Sequence, residues 1–268
     1  MSNLSLALDT TELAEHYEQA SSDLQFRNGK HLIRDLEVRA GEHVLDVGCG
    51  TGLLAQHTAQ VVGPLGWVVG VDPLPLRIAI ATRKSGPNLS FRVGNAYDLR
   101  EFPSESFDVV YLNAVFHWLK EKTEPLDEIR RVLKPGGRIG ITTGSGAHPN
   151  STQAIKNRVL AKEPYSRHVA PEAGTPHWVT LPELVLLFEQ TGFETRKAAI
   201  LQNLHYHPNP ASVIRFWNAS SFGNFVGHLP EELRDRAIRE IETELEKDRT
   251  SQGIRVEGKR IVGIAVKA

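Results

Sequence analysis

Residues 43–53, HVLDVGCGTGL, constrain the fold of this chain more than any other stretch. A short apolar run (Val44, Leu45, Val47) carries Asp46 within it and passes into three alternating glycines, Gly48, Gly50 and Gly52. Behind them Leu54, Thr58, Val61 and Val62 recur at i, i+4, i+7 and i+8, the spacing of an amphipathic helix. The pattern predicts a strand, a tight turn and a helix. Glycine is required where a backbone takes positive φ or is approached closely by a ligand. A nucleotide-like ligand at the carboxyl end of a first strand is the general expectation for an open α/β sheet.

The glycine spacing narrows the ligand. It reads G-x-G-x-G, and Leu53 stands where a dinucleotide fingerprint places its third glycine. Asp46 puts a carboxylate at the mouth of the loop, which repels a pyrophosphate and suits an ammonium group. S-adenosylmethionine carries an ammonium, a sulfonium and no phosphate. With its strand and helix, the stretch resembles the cofactor loop of class I S-adenosylmethionine-dependent methyltransferases, in their small-molecule branch. The resemblance implies that Asp46, Gly48, Cys49, Gly50 and Gly52 hold S-adenosylmethionine, with S-adenosylhomocysteine as product.

Composition bounds the alternatives. The 268 residues are 40% hydrophobic and 24% charged, an ordinary globular balance. At roughly 100–200 residues per domain, one large or two small domains are allowed, and the absence of a linker pattern favours a single domain over 1–268. A formal net charge of −1 gives no overall attraction to nucleic acid or an anionic membrane. No apolar run reaches the roughly 18 residues of a membrane span, and residues 1–30 lack the pattern of a secretory signal. Cys49 is the sole cysteine, so no intrachain disulfide forms. The expectation is a cytoplasmic enzyme acting on a small molecule, without a metal. His205-x-His207 lacks a third ligand nearby, and one thiol is too few for an arsenite acceptor.

The resemblance extends through the first half of the chain. Residues 1–40 read as a helical cap, and by resemblance His16, Tyr17, Gln25 and Phe26 line the acceptor pocket. The plainer reading is a surface helix with two aromatic anchors. The run at 66–72 is a second strand ending at Asp72, placed to reach ribose hydroxyls. Family likeness sets Leu74 against adenine, and the helix-capping role of Asp72 is compatible. After a third strand, Asn95 stands where the family commonly has aspartate; its side-chain oxygen can still accept from the adenine amino group. Ala96 supplies a backbone contact there. The fourth strand emerges at Asn113, which faces the methionine part of the cofactor in this likeness. Phe116, His117 and Trp118 follow as walls of the reaction chamber, with His117 a candidate base because imidazole titrates near neutrality. Its alternative is simple packing. A helix stopped by KPGG and a strand at 138–144 complete a cofactor-binding core over 43–144.

The second half is less regular. Residues 145–179, rich in proline, read as an irregular insert. Thr180 and Glu183 form a capping-box signature for a helix closed by Gly192. A sixth strand is expected within 194–201, an aromatic helix after Pro210 with Phe216 and Trp217, an amphipathic helix over 230–247, and a last strand at 260–266. Residues 202–250 suit a helical lid, whose aromatics Tyr206, Phe216, Trp217, Phe222 and Phe225 fit an apolar acceptor. The fold class expected is α/β: a doubly wound, Rossmann-like, seven-stranded sheet with an antiparallel last strand. The chemistry expected is methyl transfer to oxygen or nitrogen of an apolar or aromatic metabolite. A cyclase or pseudoenzyme of the same fold, or an NAD-dependent oxidoreductase, is the alternative.

Overall fold

The computed structural model describes residues 10–20, 24–170, 175–221 and 224–268. Two helices, α1 (Thr11–Ala20) and α2 (Leu24–Asp35), precede β1 (His43–Val47). Then α3 (Leu53–Val62), β2 (Trp67–Asp72), α4 (Pro75–Thr82), β3 (Leu89–Val93), β4 (Phe107–Asn113), α5 (Thr123–Val132) and β5 (Leu133–Gly144) follow. The rest comprises α6 (Ser151–Leu160), α7 (Leu181–Gln190), β6 (Phe193–His207), α8 (Pro210–Ser220), α9 (Glu231–Glu246), β7 (Arg249–Thr250) and β8 (Gly253–Lys267).

One sheet runs β3-β2-β1-β4-β5-β8-β6, with the two-residue β7 beside β8. Strands β1 to β5 are parallel, and β8 is antiparallel to both its neighbours. This is the doubly wound sheet expected, with its antiparallel last strand. That strand lies inside the sheet, between β5 and β6, and β6 takes the edge.

Helices on both faces explain the unbroken apolar runs of the central strands. Successive side chains of a strand point to opposite faces, so Val44 joins Leu32, Ile33 and Leu54 under α2 and α3. Leu45 and Val47 join Leu126, Ile129 and Val132 under α5. A third cluster, formed by Ile155, Val159, Val213, Phe225, Ile241 and Ile254 among others, gives α6, α8 and α9 a core of their own.

Three boundaries differ from the sequence reading. The segment 145–179 is not wholly irregular, because α6 is capped by Asn150, whose side chain accepts from Gln153 N, and contributes Ile155 and Val159 to the third core. Strands β6 and β8 run six or more residues beyond the expected spans and pair with one another from Phe193↔Lys267 to His207↔Ile254. The helical part of 202–250 consequently starts at Pro210. Helix α7 has the expected capping box at Thr180 and Glu183. Among the described residues no helix is long and apolar enough to cross a membrane.

Candidate active site

Strands β1 and β4 are neighbours whose connections leave in opposite directions, which opens a crevice at their carboxyl ends. The glycine loop lies in that crevice. Gly48, Gly50 and Gly52 have φ of 77°, 55° and 84°, conformations that cost a residue with a Cβ. Gly48 N and Cys49 N donate to Val71 O at 2.7 and 3.0 Å. Asp72 crosses from β2 to the loop: Oδ2 accepts from Gly50 N at 2.9 Å and Oδ1 from Leu74 N at 3.0 Å. The cap position of α4 belongs to Leu74, so Asp72 fastens two turns together and does not cap that helix. A Cβ on Gly50 would stand 2.9 Å from Cε1 of Tyr17, so α1 lies directly over the loop.

Asp46 is buried at the end of β1. The Tyr111 hydroxyl donates to its Oδ2 at 2.8 Å and stands 3.2 Å from Thr58 Oγ1. Burial pushes the Asp46 carboxyl up to about 8, with the Tyr111 hydrogen bond opposing and the Asp72 charge adding to the rise. The Cys49 side chain is also buried, against Gly70, and burial raises its thiol well above the ordinary range. Such a thiol is inert, so Cys49 serves the loop through its backbone.

Two small cavities follow the loop. One, of about 40 Å³, is bordered by Asp46, Gly48, Cys49 and Asn113 together with Tyr17, Gln25 and Phe26. The other, of about 60 Å³, is bordered by Gly48, Asp72, Leu74, Asn95, Ala96, Tyr17 and Arg77. The residues expected to hold a cofactor are thus brought together. Tyr17 and Phe26, expected on an acceptor pocket, border this side and not the larger cavity that adjoins it. Tyr17 donates to Gln25 Oε1 at 2.6 Å, and the Arg77 guanidinium lies 3.8 Å from its ring centre. Lys84 pairs with Glu18 of α1 at 2.8 Å and donates to Thr51 O at 2.9 Å, tying the cap to the loop. Asn95 Oδ1 accepts from Tyr97 N at 2.9 Å, so the oxygen expected to face a ligand also shapes its own turn.

A third cavity, of about 420 Å³, adjoins these two and shares Gln25 and Asn113 with the first of them. Asn113 is fixed there: its Nδ2 donates to Gln25 O at 3.0 Å and its Oδ1 accepts from Thr142 Oγ1 at 2.7 Å. His117, Trp118, Phe216 and Trp217 border the large cavity as expected. Phe116 does not. It is fully buried in the core beneath α5, with Lys122 Nζ 4.8 Å from its ring centre, because the short 3₁₀ turn at 116–118 sends successive side chains to different faces. Tyr206 is 40% exposed on the outer face of β6. The His16 side chain and Phe222 lie outside the described residues.

Several wall residues were missed from sequence. Trp178 stacks on His117 with centroids 4.5 Å apart and planes at 24°. Asn28, Asn203, His205, Lys156, His228 and Arg260 also border the cavity. The β6–β8 ribbon delivers Asn203, His205 and His207 to one face, since residues two apart share a face. The only signal for this was the alternation itself, obscured because the inward positions are polar. Among the described residues no group of three or more His, Cys, Asp or Glu forms a metal site.

His117 Nδ1 lies 3.2 Å from Thr143 Oγ1. Burial, with the nearby Lys122 charge, lowers its pKa to about 3. The ring is neutral throughout the physiological range and a reluctant proton acceptor. Lys122 is itself lowered to about 8 by burial, and it donates to the carbonyls of Phe116, Leu119 and His177. It therefore ties the wall segment after β4 to the segment carrying Trp178.

Comparison with known proteins places this geometry in a family. The model of the Methyltransferase domain family matches residues 45–141. A demethylmenaquinone methyltransferase from Lactobacillus johnsonii is 36% identical over 140 residues, 49% of this chain and 57% of that protein. One from Tropheryma whipplei is 33% identical over 199 residues, 68% of this chain and 80% of that protein. The chain spans little more than half the length of some curated relatives, 57% and 54% for two of them. The crystal structure of a SAM-dependent methyltransferase from Aquifex aeolicus has the same fold, with a TM-score of 0.56 at 15% identity over 96% of this chain and 98% of that one. The chain belongs to the class I S-adenosylmethionine-dependent methyltransferases.

Proposed function

We propose that this protein transfers a methyl group from S-adenosylmethionine to an oxygen or nitrogen of a small molecule held in the 420 Å³ cavity. The observation that carries the reading is the junction at Gln25 and Asn113, where the cavities along the glycine loop meet the large one. The residues fit the cofactor. Asp46 is a buried carboxylate whose shift includes no contribution from any cation, which suits an incoming ammonium. The Asp72 carboxylate and the amides of the glycine loop and of Ala96 supply the polar groups a nucleoside needs, and Leu74 an apolar face. The Asp72 carboxylate, held on the loop by Gly50 N, repels a pyrophosphate, which argues against a nicotinamide cofactor.

When bound, S-adenosylmethionine supplies a methyl group on a sulfonium, a leaving group already activated. The work left to the chain is alignment and exclusion of water. Asn113, held by Gln25 and Thr142, fixes the junction. The aromatic walls Trp118, Trp178, Phe216 and Trp217 suit a flat apolar body. His117, kept neutral, orients the acceptor by hydrogen bonding and leaves proton removal to solvent or to an acceptor that is already ionised.

The test is release of S-adenosylhomocysteine and capture of tritiated methyl with a panel of phenols, amines and aromatic acids. Asn113→Ala is expected to lower turnover about tenfold or more, the scale of a misaligned near-attack geometry, while the sulfur cofactor still binds. Cofactor binding with no methylated product from any acceptor would contradict the proposal and point to a cyclase or a pseudoenzyme on this scaffold.

A further inference from the structure

The large cavity is charged in one sense. Among the described residues that border it are three cations, Lys156, Lys259 and Arg260, against one carboxylate, Glu257. Glu257 is already paired with Arg255 at 2.9 Å. Lys259 is exposed, whereas Lys156 and Arg260 are half-buried.

Neither of the two half-buried cations forms an ion pair among the described residues; Arg260 feels the charge of Asp35, which is itself paired with Lys197, and Lys156 feels none. Lys156 projects from α6 with its Nζ 5.2 Å from the ring centre of Phe225. Burial lowers its pKa, and no carboxylate opposes the shift. Arg260 donates to the side-chain oxygens of Asn203 and Asn28, neutral acceptors both. A half-buried cation without a counter-charge, as Lys156 is, is costly, and proteins keep few of them without a partner or a ligand. Bordering the same cavity, Trp217 Nε1, Ser220 Oγ and His228 Nδ1 are buried polar atoms with no hydrogen-bond partner among the described residues. Two of these, the indole N–H and the hydroxyl, can only gain from an acceptor-rich ligand, and Arg260 Nε is a further unpaired donor.

We propose that the cavity holds its acceptor by an anionic group, a carboxylate or a phosphate, seated against Lys156 on the lid side with Arg260 as the second cation of the same chamber. This rests on the methyltransferase reading for the word acceptor, but the anion seat stands on the cavity alone. Lys156 sits on α6 against Phe225, and the junction with the cofactor side is built from α2 and β4 at Gln25 and Asn113. Anchored at Lys156, the anion leaves the rest of the molecule free to lie along the aromatic walls towards that junction. The acceptor is then an apolar or aromatic body with an acidic head, not a wholly apolar metabolite.

The probes are benzoate, phenyl phosphate and the neutral benzamide, titrated into the full chain while the indole N–H resonances are followed by ¹⁵N NMR. Saturable shifts at Trp217, assigned with Trp217→Phe, are expected for the anions, with benzamide roughly tenfold weaker or more, the scale of a lost charge-assisted contact. Tighter benzoate identifies a carboxylate head; tighter phenyl phosphate identifies a phosphate. Lys156→Met should weaken both anions about tenfold or more, and Lys156→Arg should restore most of the loss. Arg260→Met, a second variant on a different element, should weaken them as well. Benzamide binding as tightly as the anions, no saturable shift with either anion, or anion affinity unchanged in Lys156→Met would overturn the proposal. S-adenosylhomocysteine binding is read on the same samples. Its retention in every variant shows that the fold is intact, and its absence from the wild type would sink the methyltransferase reading while leaving the anion result legible.

Discussion

Asp46 and Asp72 sit 26 positions apart in the chain and at one loop in the fold, yet the fold uses them differently. Asp72 is committed to two backbone amides, whereas Asp46 has the Tyr111 hydroxyl and a desolvated environment that holds its pKa near 8. The unfolded chain ionises this group near 3.9, so the native state binds the proton more tightly. The stabilisation from a neutral Asp46 is complete below that value and is lost as pH rises through about 8. Asp46→Asn stays neutral and keeps an oxygen for Tyr111. It is expected to match the wild type in denaturant midpoint near pH 3.5 and to exceed it at pH 8, by roughly 1 kcal/mol or more. A difference that does not change with pH would contradict the assignment. His117 acts in the opposite sense: its lowered pKa removes stability as pH falls from about 6.5 towards 3, a loss common to the wild type and Asp46→Asn that cancels in their difference. At this scale the sequence exposed the identity of both carboxylates and their loop. It did not expose the burial of Asp46, because Tyr111 and Thr58 come from other elements.

Secondary elements were legible where apolar periodicity reports them and illegible where the inner face is polar. Strands β1, β2, β4 and β5 have buried apolar runs and end near the expected residues, whereas β3, at the sheet edge, is buried only at Leu89. In β6 the inward positions Asn203, His205 and His207 alternate with exposed residues at 202, 204 and 206, so hydrophobicity gave no warning that the strand continues to His207. The same ribbon, through β8, brings Arg260 beside Gly144. Phe116 was misplaced for a related reason, since three aromatic residues in one 3₁₀ turn cannot all face one chamber. Gly144 closes β5 under Trp178, and a Cβ there would fall 2.3 Å from Cζ3 of that indole. Gly144→Val is therefore expected to drive Trp178 off His117, at a packing cost of about 1–3 kcal/mol. Turnover should drop about tenfold, with S-adenosylhomocysteine affinity unchanged. Unaltered turnover, in a variant whose near-ultraviolet circular dichroism shows Trp178 displaced, would separate that stack from catalysis.

Across the whole molecule, two cores flank the sheet and a third packs α6, α8 and α9, with the 420 Å³ cavity bordered by residues of both sides. Helix α1 packs against both α4 and α8, and its Tyr17 covers Gly50, so the cap touches the cofactor crevice and the lid together. This arrangement explains why the cofactor half of the site was readable and the acceptor half was not. The glycine loop and Asp72 lie on consecutive elements within one βαβ unit, where spacing is informative. The acceptor wall draws single side chains from α2, β4, α6, β6, α8 and β8, and no spacing rule joins them. The central claim, that the crevice at Gly48–Asp72 is an S-adenosylmethionine site, is tested most directly by calorimetric titration of S-adenosylhomocysteine and NADH into the wild type and Asp72→Ala. The account predicts S-adenosylhomocysteine binding in the micromolar range, on the order of −8 kcal/mol, weakened about tenfold or more by loss of the two backbone contacts in Asp72→Ala, with no NADH binding to either protein. Binding of NADH in place of S-adenosylhomocysteine, or of neither, would contradict it.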